Sequence, residues 1–437
     1  MSPEIVHALR RPLLLSCIAL ALSGGASAAP VLPYTEGVRV GGRLEGAAAS
    51  KTFAEPDSRR RDPIHVESVF NCADSGIGSL RDAVAAAADG DTIDLTHLAC
   101  STISLTTGEI TIPQNTLSLV GPGSSLSIVR NISSNFSRIL THTGTGVLTV
   151  AGLGIGYGVA TYEGGCIRSA GSLTLSNALV SGCRTQSTAV QGHNSYGGGV
   201  FVAGNLTMSS STLVSNSCSA DFTTRAFGGG AFVRSSAHIL ESTINDNSVG
   251  YFVGRGNVGG IDIVGTAASV IVNSTISGNY ATDKIGGLYA YEQLTLTGAT
   301  IAFNKSLYGQ TLPAGVEAYN GLAMDSTIIA NNTWSGNEFD LSAFTVTGAN
   351  NLVVGSNDSP PGTLTADPNL QPLADNGGPT KTHALLMTSV AVDAGNNAAG
   401  TSTDQRGPGF ARVRGPKVDI GAFELQVNDR IFASGFE

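Results

Sequence analysis

Charge is scarce in this chain. Only 13% of its 437 residues are Asp, Glu, Lys or Arg, and they sum to a net −9. So little charge excludes a disordered polyelectrolyte, and the acidic balance gives no electrostatic reason to meet nucleic acid. Long stretches of 3.6-residue hydrophobic period are missing too, which excludes a helical architecture. Beyond the N-terminus no segment approaches the roughly 18 apolar residues that a spanning helix needs. The seven histidines show no metal-ligand spacing, and no CxxC pair occurs. No metal site is therefore expected. Calcium at Asp/Asn-rich turns is left open, although the Gly-rich nonapeptide calcium repeat is absent.

What remains is strand-and-turn chemistry: 56 glycines with abundant Ser, Thr, Val and Ile. Arg10 and Arg11, the apolar run Leu13 to Leu22, and Ala26-Ser27-Ala28 read as an export signal over residues 1–28. Residues 29–65 have no period and read as a flexible leader. Removal of the signal takes Cys17 with it and leaves Cys72, Cys100, Cys166, Cys183 and Cys218. An exported chain meets oxidising conditions. Cys72 and Cys100 flank the first helix-and-strand unit and are the preferred pair. Cys166 and Cys183 belong to one repeat and are the second, although sequence leaves the connectivity among Cys166, Cys183 and Cys218 open.

A repeat occupies the middle of the chain. Its first anchor is the second residue of a glycine pair or its equivalent, at Gly165, Gly198, Gly229, Gly260, Gly287 and Gly315. Its second anchor is an asparagine at Asn216, Asn247, Asn279, Asn304 and Asn331, with Gly182 in that place in the first copy. Repeats about 30 residues long mean an array in which each unit buries its apolar face against its neighbours. Each copy holds a short strand after the glycines, a Leu-x-Leu strand such as Leu173/Leu175, and a third strand carrying Leu179, Leu213, Ile244, Ile276, Ile301 or Ile328. Three strands per copy describe a triangular coil, and stacked coils describe an all-β, right-handed parallel β-helix. Asparagines at one turn would form a ladder along its axis. Ser79 to Ala88 reads as a helix with Ser79 and Asp82 in a capping-box pattern, and it suits a cap over the first coil. The β-helix with this cap spans 66–335, and 336–424 forms C-terminal coils.

The stretch Gly78-Ser79-Leu80-Arg81-Asp82-Ala83-Val84 and Gly90-Asp91-Thr92-Ile93 resembles the start of secreted bacterial β-helix proteins related to polymorphic outer-membrane proteins. Asp367-Pro368-Asn369-Leu370, Asp375-Asn376-Gly377-Gly378-Pro379-Thr380, Asp404-Gln405-Arg406-Gly407 and Asp419-Ile420-Gly421-Ala422-Phe423-Glu424 are similar to the choice-of-anchor Q family. That resemblance implies a secreted or surface β-helix of a Gram-negative bacterium with an interchangeable anchoring tail, here 425–437, and it implies no defined reaction. His383, Asp393, Asp404, Arg406 and Asp419 are read as a polar network closing the last coil.

Strand alternation assigns the first and third positions after the glycine anchor to the inside and the second and fourth to the outside. The second reads Ile167, Val200, Ala231, Asp262, Tyr289, Glu317, and the fourth reads Ser169, Val202, Val233, Val264, Tyr291, Tyr319. Arg168, at the third position of the first copy, breaks the inward rule. Asp262 and Glu317 fall two rungs apart, about 9.6 Å along the axis, near the roughly 6.5–9.5 Å carboxylate separation of inverting glycoside hydrolases. Tyr289, Tyr291 and Tyr319 beside them suit contact with sugar rings. There is no cluster of aspartates on adjacent strands, nor a basic residue beside clustered acidic calcium ligands. The expected function is therefore non-enzymatic display of an elongated face for adhesion or glycan contact. A polysaccharide lyase or glycoside hydrolase using Asp262 and Glu317 is the alternative, and an extracellular polysaccharide or cell-surface glycan is the expected partner.

Overall fold

The structure is a computed structural model that describes residues 65–131, 136–187, 193–220, 224–250, 255–308, 312–356 and 358–426. The expected signal over 1–28, nearly all of the leader 29–65 and nearly all of the tail 425–437 lie outside the described residues.

Successive coils stack in parallel as a right-handed β-helix. The first sheet, fed by the strand after the glycines, has nine strands from Ile110–Ile112 to Leu341–Ala343. The second has eleven, from Val66–Ser68 to Val346–Ala349, and the third ten, from Thr102–Leu105 to Leu352–Val353. A fourth sheet of eight strands departs from the three-sided expectation. Its strands, such as Arg184–Gln186 and Ser248–Val249, are two or three residues long. They tuck Cys218, Val249 and Ala281 inward, but so short a run leaves no period to read. The lumen is filled by Leu, Ile and Val, for example Leu173, Leu206, Ile271, Leu294 and Leu322.

The helix runs Leu80–Ala86; the Ser79 side chain accepts from the Asp82 backbone N–H, and Leu80, Ala83 and Val84 point into the core. Asp82 accepts in turn from the N–H of Gly78, the residue before the cap, at 3.0 Å, one residue short of a full capping box.

The two repeat anchors touch each other. Asn247 lies against Gly230: a Cβ added to that glycine would meet the Asn247 amide carbon at 3.1 Å and the Gly260 carbonyl at 2.8 Å. Gly199–Asn216, Gly260–Asn279, Gly287–Asn304 and Gly315–Asn332 repeat the contact. Glycine is needed here because the next coil and the inward asparagine leave no room for a side chain. Each ladder asparagine donates Nδ2 to a third-strand carbonyl of the coil before and to the next residue of the ladder. Asn247 reaches Leu213 O at 3.0 Å and Asn279 Oδ1 at 2.9 Å.

Register corrects three columns of the repeat. The ladder is Asn216, Asn247, Asn279, Asn304, Asn332, ending on Asp340. Asn331 is instead a left-handed residue at φ +59°, where its side chain is outside the ladder. Cys183, not Gly182, takes the first rung, donating its N–H to Asn216 Oδ1. The glycine column is Cys166, Gly199, Gly230, Gly260, Gly287, Gly315, so the anchors Gly165, Gly198 and Gly229 sit one residue early. The cause is the triple glycine of the second and third copies, which allows two frames that period alone does not separate. In the third strand, Val180 and Ile329, rather than Leu179 and Ile328, align with Leu213 and Ile244.

Both preferred disulfides form, Cys72–Cys100 and Cys166–Cys183, and Cys218 is a buried free thiol. The corrected frame explains the second. Cys166 stands in the glycine column and Cys183 in the asparagine ladder, 17 residues apart, as Gly199 and Asn216 are. The disulfide replaces the Gly–Asn contact where the ladder begins.

The C-terminal region first passes the last coil, where Leu364 N–H bonds Asn351 O and bridges Leu352. It returns along the outer face of the third sheet, where Gln405 bonds Thr243 and Thr275, His383 bonds Ser277, and Ala422 N–H bonds Thr300. Arg406 pairs with Asp404 at 2.7 Å and lies between the rings of Phe410 and Phe423, 4.0 and 3.9 Å from their centroids. Asp419 accepts from Asp393 and Leu425 N–H groups. The signature residues are thus a polar network as expected, but one that docks a flank. Hydroxyl-bearing outward positions on the third sheet give it polar partners, and the outward Ala302, Ile328, Ala330 and Leu352 bury Leu370, Leu385, Ile420 and Phe423 beside them. The downstream strands of the third sheet are thus covered on both faces.

Candidate functional site

In the corrected register the first sheet projects one continuous outward column: Thr141, Arg168, Phe201, Phe232, Asp262, Tyr289, Glu317, Ser342. Ile167, Val200 and Ala231, expected outside, are buried in the lumen, and Phe201 and Phe232, expected inside, face out. Arg168 breaks no rule once its strand is shifted by one residue. Asp262, Tyr289 and Glu317 do occupy consecutive rungs. A second outward column two residues on carries Arg234, Val264, Tyr291, Tyr319 and Phe344.

The downstream half of this face is a wall. Asp262 is only 2% exposed, and its Oδ1 has no hydrogen-bond partner. Burial pushes its carboxyl up to about 7, with Lys284 pulling down and Glu317 adding to the rise. Burial also raises Glu317, with Lys284 opposing it. The phenol of Tyr289 is raised by burial and by the neighbouring carboxylates. Tyr291 and Tyr319 are 39% and 55% exposed, and Phe344 on the next rung is 83% exposed. The rings of Tyr291 and Tyr319 stack at 5.3 Å and 10°. One face of each ring is therefore engaged by the other, and a ligand would meet edges, hydroxyls and the remaining faces.

The upstream half holds a groove of about 690 Å³. It is lined by Arg138 and Arg168 from two rungs, Tyr162 and Glu163 from the turn between them, and His193, Asn194 and Tyr196 from a longer inter-coil segment. That segment adds Ser195–Tyr196 to a small accessory sheet with Arg225–Phe227 and Arg255–Gly256. Asn194 Nδ2 donates to the Tyr196 hydroxyl at 3.1 Å, and Tyr162 meets the His193 ring edge-on at 5.2 Å. Glu163 pairs with Arg168 at 2.8 Å and with Arg234 at 3.5 Å. Phe201 lies beneath both arginines, 5.8 Å from Arg168 and 4.8 Å from Arg234. Arg138 bonds Glu109 and Thr141. Sequence reading left this groove unassembled. Arg168 stood only as an exception to the inward rule, which was the available signal. No cluster of His, Cys, Asp and Glu among the described residues has metal-binding geometry.

No family model and no curated protein matches the chain. A search of solved structures finds similarity to one titled "Crystal structure of pectate lyase Pel9A", at 15% identity and a TM-score of 0.49, covering 83% of this chain and 97% of that one. So distant a likeness says nothing of chemistry, which must be argued from the site.

Proposed function

We propose that this chain is an exported β-helix protein of the choice-of-anchor Q type that lays extracellular polysaccharide along the outer face of its first sheet. Tyr289, Tyr291 and Tyr319 supply the contacts, and Glu317 supplies a polar partner. The observation that supports this most is the run of exposed aromatics, Tyr291, Tyr319 and Phe344, on successive rungs of the first sheet. Exposed aromatic rows of this kind mark contact surfaces. Export is supported by two disulfides, and no helix among the described residues is long and apolar enough to cross a membrane. A glycan array tests the reading. Wild type is expected to bind a subset of glycans, and the Tyr289→Ala/Tyr291→Ala variant to lose most of that signal. Equal signals from the two proteins would remove this face from the account.

One observation favours a second reading. A carboxyl titrating at about 7 beside a second carboxylate suits a general acid for glycoside hydrolysis. Release of reducing ends from a polysaccharide, abolished in Asp262→Asn, would establish it. Burial of Asp262 away from any described cavity makes it the weaker of the two.

A further inference from the structure

We infer that the groove beside Arg168 is a subsite for a carboxylate-bearing sugar, so that the first-sheet face selects uronate-containing polysaccharide over neutral glycans. This rests on the glycan-contacting reading and adds the ligand's chemical class to it.

The chain as a whole is acidic, with a net −9, yet three arginines converge here on two glutamates. Both glutamates are already engaged, Glu109 by Arg138 and Thr141, and Glu163 by Arg168 and Arg234. One positive charge is left over locally. Arg168 gives only its Nε to Glu163. Its two terminal amino groups make no hydrogen bond with the described residues, and they form the planar fork that accepts a carboxylate bidentately.

The fork is held in advance. Glu163 anchors it at one end, and the Phe201 ring supports both Arg168 and Arg234. A guanidinium stacked on an aromatic loses little freedom when it binds. Around it, Tyr162, Tyr196 and His193 offer apolar ring surface, and Asn194 an amide, in a groove of about 690 Å³. Charge for the carboxylate and rings for the sugar body thus meet in one hollow. The groove opens on the same face as the downstream tyrosines, so one extended polymer can occupy both.

Affinity electrophoresis of the mature chain tests this, in native gels containing alginate, polygalacturonate or hyaluronate, each paired with its carboxyl-reduced form. At least one acidic polymer is expected to retard the protein, its reduced partner not to, and added salt to weaken the effect. Arg168→Gln is expected to weaken retention roughly tenfold, and Arg168→Lys by less, since the charge survives and the fork does not. Circular dichroism melts confirm folding; if Arg168→Gln is unfolded, the half-exposed Arg234→Gln is read in its place. Equal retention by reduced and acidic polymers overturns the uronate subsite while leaving sugar contact standing. No retention by any acidic polymer also overturns it, and neutral glycans on the array then decide the broader reading. Unchanged retention in a folded arginine variant removes the groove.

Discussion

Asn247→Ala is expected to lower stability by about 4 kcal/mol, because it orphans several buried groups at once. Its Oδ1 accepts from both the backbone N–H and the Nδ2 of Asn216, at 3.0 and 2.9 Å. Its Nδ2 satisfies Leu213 O in the coil before and Asn279 Oδ1 in the coil after. Asn216, Asn247 and Asn279 are all fully buried, so water cannot replace the missing partner. Asn332→Ala should be comparably damaging, since its amide bonds Ile301 O, Ala330 O and Asp340. Asn331→Ala should cost only about 1 kcal/mol, because alanine tolerates the left-handed region less well than asparagine does. Urea unfolding midpoints for the three variants check the register directly. A large effect at Asn331 with none at Asn332 would mean that the ladder has been placed one residue off.

Asp262→Asn is expected to stabilise the protein at neutral and alkaline pH and to change little in acid. The folded carboxyl titrates at about 7 against an ordinary 3.8, so the native state holds a proton that the unfolded chain releases. Stability is then undiminished below about pH 4 and declines as pH rises through about 7. A rise of about three units corresponds to roughly 3–4 kcal/mol. Asn keeps the volume and removes the charge, so the gain should approach that size at about pH 8 and vanish near pH 4. Glu424, raised to about 7 by burial, and Asp340, raised to about 6 by burial, act in the same direction. Wild type should therefore melt higher at about pH 5 than at about pH 8, and the variant should show a shallower slope. Identical slopes would mean that Asp262 is ionised in the folded protein.

The fold was readable because both repeat anchors are steric necessities: a glycine where an amide packs, and an asparagine where two coils must be joined. Their frame was less readable. Gly197-Gly198-Gly199 and Gly228-Gly229-Gly230 fit two registers, and only the inward burial of Val200 and Ala231 selects one. Cys166 and Cys183 hid the first copy's anchors because sulfur takes the place of both residues. The docking of the C-terminal region was hard to read because Thr243, Thr275, Ser277 and Thr300 receive part of it by hydrogen bonds, while the outward Ala302, Ile328, Ala330 and Leu352 that receive the rest sit beside inward apolar residues and blur the alternation. In the site, the placing of Asp262, Tyr289 and Glu317 on consecutive rungs followed from alternation. The burial of Asp262 and the meeting of Arg138, Arg168 and Tyr196 depend on turn and inter-coil conformations that no period encodes.

Hydroxyl-radical footprinting, with and without a polysaccharide retained by the chain, tests the glycan-contacting face most directly. Tyr291, Tyr319 and Phe344 should become protected, together with the groove residues Tyr162 and Tyr196. Phe70 and Tyr157, exposed outside this sheet, should keep their reactivity. Protection of Phe70 or Tyr157 while Tyr291, Tyr319 and Phe344 stay reactive would place the ligand elsewhere and contradict the account.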